Sequence, residues 1–134
     1  MARRKSKTLT EVELEFMQVI WDRADTSTED LQRALAARGR PLTDGAIRRV
    51  LAILMQKGYL IRRKQGLSFL YNAKVQKNHA LGSMFRDMLS RAFGGSGSLM
   101  IATFLDTVDI KPDEMDRIKR LIEDRERGKG DDKP

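Results

Sequence analysis

The sequence predicts a mostly α-helical protein with one small β-hairpin, divided into a hairpin-bearing first domain and a helical second domain. Three observations predict it. Helix-opening caps recur at Thr10, Ser27 and Thr43 or Asp44, each ahead of apolar residues at helical spacing. Between Tyr59 and Asn72 the pattern changes to two short strand-like runs about a Gln65-Gly66 turn. From Gln76 onward helical periodicity returns, interrupted by the glycine-rich stretch Gly94–Ser98.

Residues 1–8 are polar and basic and read as a flexible arm. Thr10 opens the first helix, and Glu13 three residues later completes a capping box, with Leu9 and Leu14 placed for a hydrophobic staple. Phe16, Met17, Val19, Ile20 and Trp21 give this helix its apolar side, and it ends before Asp22. Trp21, the sole tryptophan, is read as core packing. Ser27, with Asp30 three residues on, caps a short second helix that turns Leu31, Ala34 and Leu35 inward and stops at Gly39. The third helix places Ile47, Val50, Leu51 and Leu54 on one buried face and ends at Gly58. Tyr59–Lys64 and Leu67–Asn72 then form the two strands.

Three helices followed by a hairpin is the order of a winged helix-turn-helix, here over residues 9–74, in which the third helix faces DNA and the hairpin is the wing. The outward face of the third helix suits that role. At 100° per residue, Gly45, Arg48, Arg49, Ala52 and Gln56 fall within an arc of roughly 100° opposite Ile47 and Leu54. An exposed helix ordinarily carries Glu–Lys pairs, which this face lacks. It has instead two arginines among residues of little bulk. Gly45 costs about 1 kcal/mol relative to alanine inside a helix but permits close approach of the backbone. The reading therefore assigns Thr43, Gly45, Ala46, Arg48, Arg49 and Ala52 to DNA contact, with Thr43 and the first helical amides suited to a phosphate. Arg62, Arg63, Lys64 and Gln65, at the wing turn, are assigned to phosphates. Arg48 and Arg49 suit either a guanine edge or a phosphate. The first is worth roughly 1–3 kcal/mol of discrimination, and the second carries no sequence information directly.

Charge agrees with this division. The net charge is +7; residues 1–73 hold 14 Lys/Arg against 8 Asp/Glu (+6), and residues 74–134 hold 12 against 11 (+1). A basic first half joined to a near-neutral second half suits a polyanion-binding domain with an assembly element attached.

Residues 75–126 read as a helical dimerisation domain. Leu81, Met84, Phe85, Met88, Leu89, Ala92 and Phe93 form a broad apolar stripe on a helix over 76–93. Leu99–Val108 is a short, very apolar helix. Pro112 starts a last helix with Met115, Ile118, Leu121 and Ile122 inward. Asp113 and Glu114 sit at its positive end, with Lys119, Arg120 and Arg125 toward the other. About 50 residues of this kind cannot bury so much apolar surface alone. A symmetric homodimer is expected, with Leu81, Phe85, Met88, Leu99, Met100, Phe104, Met115, Ile118 and Ile122 at its interface. Residues 127–134 read as a disordered tail.

Other function classes find little support. The chain has no cysteine, which excludes disulfides, thiolate metal sites and cysteine nucleophiles. His79, the sole histidine, has no paired ligand or carboxylate at a useful spacing, so neither a metal nor a cofactor is expected. Gly94, Gly95 and Gly97 are followed by no GK[ST] and read as a hinge. The basic N-terminus lacks a secretory apolar stretch and no apolar run reaches the roughly 20 residues that span a bilayer, so the expectation is a cytoplasmic protein without membrane insertion.

The segments LTEVELEFMQVIW (Leu9–Trp21), IRRVLAILMQKGYLIRRKQG (Ile47–Gly66), YNAKV (Tyr71–Val75) and AFGGSGSLMIATFLDTVDIKPDEMDRIKRLIE (Ala92–Glu123) resemble the BlaI/MecI/CopY family of penicillinase-type repressors. The resemblance implies a homodimeric winged-helix repressor that binds a dyad operator in double-stranded promoter DNA. By position Arg48 matches a family arginine on the recognition helix, whereas Arg49 stands where threonine is frequent and Gly45 and Ala46 where threonine or lysine is common. In the wing, Leu67 replaces a frequent arginine and Ala73 a proline. Resistance-type members are inactivated by cleavage of an Asn–Phe bond in the apolar helix. The matching pair here is Thr103–Phe104, which implies a membrane-bound metalloprotease sensor as a further partner. Copper-responsive members use a cysteine motif, which this chain lacks.

The reading is thus a sequence-specific dimeric repressor rather than an enzyme. Two competitors share its features. A non-specific nucleoid-type binder has the same charge but little preference for a dyad. A winged-helix protein-interaction module uses the apolar second half to hold a partner.

Overall fold

In the computed structural model, which describes residues 8–132, three short helices lead into a two-stranded hairpin, and three further helices follow. α1 (Glu11–Trp21) and α2 (Thr28–Ala37) both begin in capping boxes. Thr10 Oγ1 accepts from the Glu13 amide at 3.2 Å while Glu13 Oε1 accepts from the Thr10 amide at 3.0 Å. Ser27 and Asp30 repeat the exchange at 3.0 and 3.2 Å. α3 (Asp44–Gln56) settles its start on Thr43, whose hydroxyl accepts from the Ala46 amide at 3.2 Å. Its end is a left-handed glycine: Gly58 has φ +87°, and the Tyr59 amide reaches back to the Leu54 carbonyl at 2.9 Å.

These caps fix which faces turn inward. Phe16, Met17 and Ile20 of α1, Leu31 and Leu35 of α2, and Ile47, Leu51 and Leu54 of α3 are all fully or almost fully buried in one core. Leu60 and Tyr71 of the hairpin close it. Trp21 packs against this core, and its indole N–H donates to the Val75 carbonyl at 2.9 Å.

β1 (Leu60–Gln65) and β2 (Ser68–Ala73) pair antiparallel, from Leu60 opposite Ala73 out to Gln65 opposite Ser68. The turn is Gly66-Leu67, one residue later than the sequence places it, with Gly66 at φ +63°. A two-residue hairpin loop needs such a left-handed position, and glycine is the residue that fills it without steric cost. Thr26 adds a third, single-residue strand beside Tyr71, with amide–carbonyl bonds of 3.0 and 2.8 Å. Leu60, Arg62, Lys64, Phe69, Tyr71 and Ala73 share one face, and Ile61, Arg63, Gln65, Ser68, Leu70 and Asn72 the other.

A buried ion pair also joins α1 to the end of α3. Lys57 Nζ lies 2.6 Å from Glu13 Oε1 and donates to the Thr8 carbonyl at 2.9 Å. Both side chains are almost fully buried. The capping glutamate therefore serves two partners.

The chain forms two compact units, Met1–Asp87 and Met88–Pro134. The division falls inside α4 (Lys77–Phe93) rather than at residue 74, because Ala80 is buried in the core of the first unit and Met84 packs against it. In the second unit, Gly94 and Gly95 end α4 at φ +57° and +84°, and the Gly95 amide takes up the Leu89 carbonyl at 2.9 Å. α5 (Gly97–Thr107) starts two residues before the expected Leu99, capped by Ser96, whose hydroxyl accepts from the Leu99 amide at 3.1 Å. α6 runs Pro112–Asp132, so the expected disordered tail from 127 is helical as far as Asp132. Glycines at 128 and 130 lower helix propensity but leave helical dihedrals open, and no proline stands between Pro112 and Pro134. The basic arm assigned to residues 1–8 lies outside the described residues except for Thr8.

Candidate nucleic-acid interface

α3 separates its two faces cleanly. Ile47, Leu51 and Leu54 are buried, whereas Thr43, Asp44, Gly45, Arg48, Arg49, Ala52 and Gln56 are exposed and Ala46 is half-buried. A Cβ at Gly45 would meet nothing within 4 Å, so no intramolecular packing demands glycine there. The helix thus presents an open surface that is flat at Gly45 and Ala52 and cationic at Arg48 and Arg49.

The two arginines differ. Arg48 Nε donates to Asp44 Oδ2 at 2.7 Å, an i,i+4 pair that the sequence reading of this face passes over because it looks for glutamate and lysine. That hydrogen bond, then the charge of Asp44, pushes the Arg48 guanidinium further up from its ordinary range, with the Tyr71 phenol adding in the same sense. The bond engages Nε, and the terminal nitrogens of the fork have no partner among the described residues. Arg49 has no hydrogen bond or ion pair among the described residues.

The wing cations also divide, two to one face and one to the other. Arg62 stacks on the Phe69 ring, 3.9 Å from its centroid, and Lys64 shares that face. Arg63 points to the opposite face, where Nε and Nη2 bind Asp25 Oδ1 and Oδ2 at 3.2 and 2.9 Å. Gln65 is exposed at the hairpin end, and Leu67 at its tip is wholly exposed. Asp25, which holds Arg63, and Asn72, which holds Asp25, escape the sequence reading: the two pairs span 38 and 47 residues, and no local spacing links them.

Carboxylates paired in this way make the first unit sensitive to acid. The Arg40 hydrogen bond holds Glu15 below the ordinary carboxylate range, the Arg63 hydrogen bond does so for Asp25, and the Ser27 backbone hydrogen bond for Asp30. Folded values below unfolded ones mean that the folded chain binds fewer protons. The resulting stability is complete above the unfolded values, about 4 for such carboxyls, and is lost as pH falls through the depressed folded values. Thermal unfolding followed from pH 6 to pH 3 is expected to show a falling midpoint. A Glu15→Gln/Asp25→Asn/Asp30→Asn variant is expected to flatten that decline.

Among the described residues, every exposed large hydrophobic side chain other than Ile61 and Leu67 belongs to α4, α5, α6 or the cap residue Val108. Of the residues assigned to dimerisation, Leu81, Phe85, Met88, Leu99, Phe104 and Ile122 are exposed, Met115 and Ile118 half-buried, and Met100 already buried within the chain. Phe85 is 60% exposed and Ile122 53%, a large apolar area for a chain to leave in water. Thr103 and Phe104 sit mid-helix, with the Thr103 hydroxyl donating to the Leu99 carbonyl at 2.8 Å. No helix among the described residues is long and apolar enough to cross a membrane, and no acidic or histidine cluster could hold a metal ion.

Three capped helices, a wing, and an open cationic face on the third helix define a winged-helix DNA-binding regulator. The comparisons place it more closely. The chain belongs to the penicillinase repressor family, whose sequence model matches residues 9–124. It is 23% identical over 126 residues to the penicillinase repressor of Bacillus licheniformis, covering 94% of this chain and 98% of that one. It is 20% identical over 118 residues to the methicillin resistance regulatory protein MecI of Staphylococcus aureus, covering 88% and 95%. The solved structure of H. salinarum RosR shares the fold, with a TM-score of 0.52 at 15% identity over 92% of this chain and 99% of that one. The protein is a winged-helix DNA-binding repressor, a regulator and not an enzyme.

Proposed function

We propose that two copies of this chain, paired through α4–α6, bind a dyad operator in promoter DNA and block transcription by occupying it. The observation that carries the reading is the exposed face of α3, where Gly45 and Ala52 flank Arg48 and Arg49 and no packing demands the glycine. Thr43, Gly45, Ala46 and Ala52 let the helix sit deep in the major groove, while the arginines reach base edges or phosphates. Asp44 aims the Arg48 fork toward the N-terminal end of α3, the end that enters the groove in helix-turn-helix proteins. Arg62, Lys64 and Gln65 of the wing meet the phosphate backbone. Such a protein acts in the cytoplasm.

Pairing is supported by the apolar residues that α4–α6 leave in water, Phe85, Met88, Leu99 and Ile122 among them. The switch that fits this arrangement is proteolysis at Thr103–Phe104 by a membrane-bound metalloprotease sensor. Cutting α5 there separates α6 from the rest of the pairing surface, and a subunit left with one half-site loses the gain of double engagement.

Competition binding tests the reading. The full chain is expected to prefer DNA from upstream of its own gene over unrelated duplex by roughly 10³-fold or more. Phe85→Glu is expected to sediment as a monomer and to lose most of that preference. If unrelated duplex competes equally, or the unaltered chain sediments as a monomer at micromolar concentration, the dimeric repressor reading fails.

A further inference from the structure

The loop between α1 and α2 holds a cluster that DNA contact alone does not require. Asp25 has φ +52° and is the non-glycine residue of left-handed backbone among the described residues. An aspartate tolerates that region better than most residues, yet it remains sparsely populated and persists where its surroundings impose it. Here the wing imposes it. The Asp25 amide donates to Asn72 Oδ1 at 2.9 Å, and Asn72 Nδ2 donates back to Asp25 Oδ1 at 2.9 Å. Arg63 closes the cluster with its two-point grip on the same carboxylate, at 3.2 and 2.9 Å. The next residue, Thr26, exchanges two backbone hydrogen bonds with Tyr71. One loop is thus tied to both strands of the wing.

We propose that Asp25 is a positioning residue: by gripping Arg63 and Asn72 on one face of the hairpin, it fixes the wing so that the opposite face, with Lys64 and the stacked Arg62, meets the DNA backbone in one orientation. This rests on the DNA-binding reading above, and it takes Arg63 out of the set of phosphate contacts. The carboxylate itself argues for such a role. A negative charge beside a DNA-facing wing repels phosphates, and it spends the cation best placed to offset it. What it supplies in return is order. A two-stranded ribbon is marginally stable by itself, and its cations bind better when their orientation is set before DNA arrives.

Asp25→Gly in the full-length chain separates this from the direct-contact alternative. Glycine adopts the same backbone conformation freely, so the fold is retained while the carboxylate is lost. The clamp predicts faster hydrogen exchange at the Thr26 and Tyr71 amides, with α1–α3 core amides unchanged. It also predicts weaker binding to the upstream DNA, by about three- to tenfold, the scale of ordering one or two side chains on binding. Arg63→Ala should match it, and the double variant should lose little more. If Arg63 is instead a phosphate contact, removing Asp25 frees it and deletes a repulsive charge, so Asp25→Gly binds tighter and Arg63→Ala alone lowers the salt slope by about one. Unchanged exchange, or unchanged or tighter binding, overturns the clamp. Failure of the unaltered chain to bind any duplex overturns the DNA reading instead, and the exchange rates then decide the clamp by themselves.

Discussion

Replacing Arg48 and Arg49 together by alanine is expected to abolish recognition of the upstream DNA while leaving the fold intact. Both side chains are exposed, and alanine is the better helix former, so the unfolding midpoint should hold or rise slightly. Binding should not. A good bidentate base contact is worth roughly 1–3 kcal/mol, so two arginines together carry roughly 2–6 kcal/mol per half-site, or about 30-fold to 10⁴-fold in affinity. Arg48→Lys and Arg49→Lys refine the result. A lysine keeps the charge but lacks the planar fork, so a base-reading arginine loses discrimination on substitution, whereas a phosphate-bound one keeps most of its affinity. Titrations of the three variants and the unaltered chain against upstream and unrelated duplex, at two salt concentrations, check this. Unaltered binding by the double alanine variant would favour a protein-interaction role for the winged domain.

The second large effect lies in stability. Lys57→Ala leaves the Glu13 carboxylate buried without its cation, 2.6 Å from where the ammonium stood. Removing one partner of a buried pair costs more than the pair contributes, because an uncompensated charge stays behind. The expected loss is about 3 kcal/mol, the lower end for such pairs, since both side chains keep a little contact with water. Glu13 also accepts from the Thr10 amide, so the deficit reaches the cap of α1. Adding Glu13→Gln should recover much of the loss, since a neutral amide can still accept that bond. Chemical denaturation of the single and double variants measures both steps.

How far the sequence shows these features depends on how local their causes are. Thr10, Ser27 and Thr43 each bond an amide three residues away, so the helix starts and the inward faces of α1–α3 can be read directly. The hairpin is also legible, but its turn moves one residue to Gly66-Leu67, since spacing alone does not tell which pair of residues closes the ladder. The exposed α3 surface follows from helical period. What a period cannot show is partnership across the chain. Lys57 finds Glu13 over 44 residues and Arg63 finds Asp25 over 38; by sequence Lys57 is one basic residue among many and Arg63 reads as a phosphate contact, until the fold brings their partners near. Asp44 is a different case: its i,i+4 spacing to Arg48 lies in plain view, and a search limited to glutamate and lysine misses it. The boundary inside α4 is hidden for the opposite reason, since Ala80 and Met84 fit the apolar stripe of a continuous helix and only packing shows which core they join.

The most direct test of the account is dimethyl sulfate protection of the upstream DNA, which reads guanine N7 in the major groove. Two α3 helices docked by a paired repressor predict two protected patches on one face of the duplex, with centres about 10 base pairs, ~34–36 Å, apart or a whole number of turns more. The Arg48→Ala/Arg49→Ala variant should erase both. A single protected patch, or strong binding that leaves every major-groove guanine reactive, would contradict it.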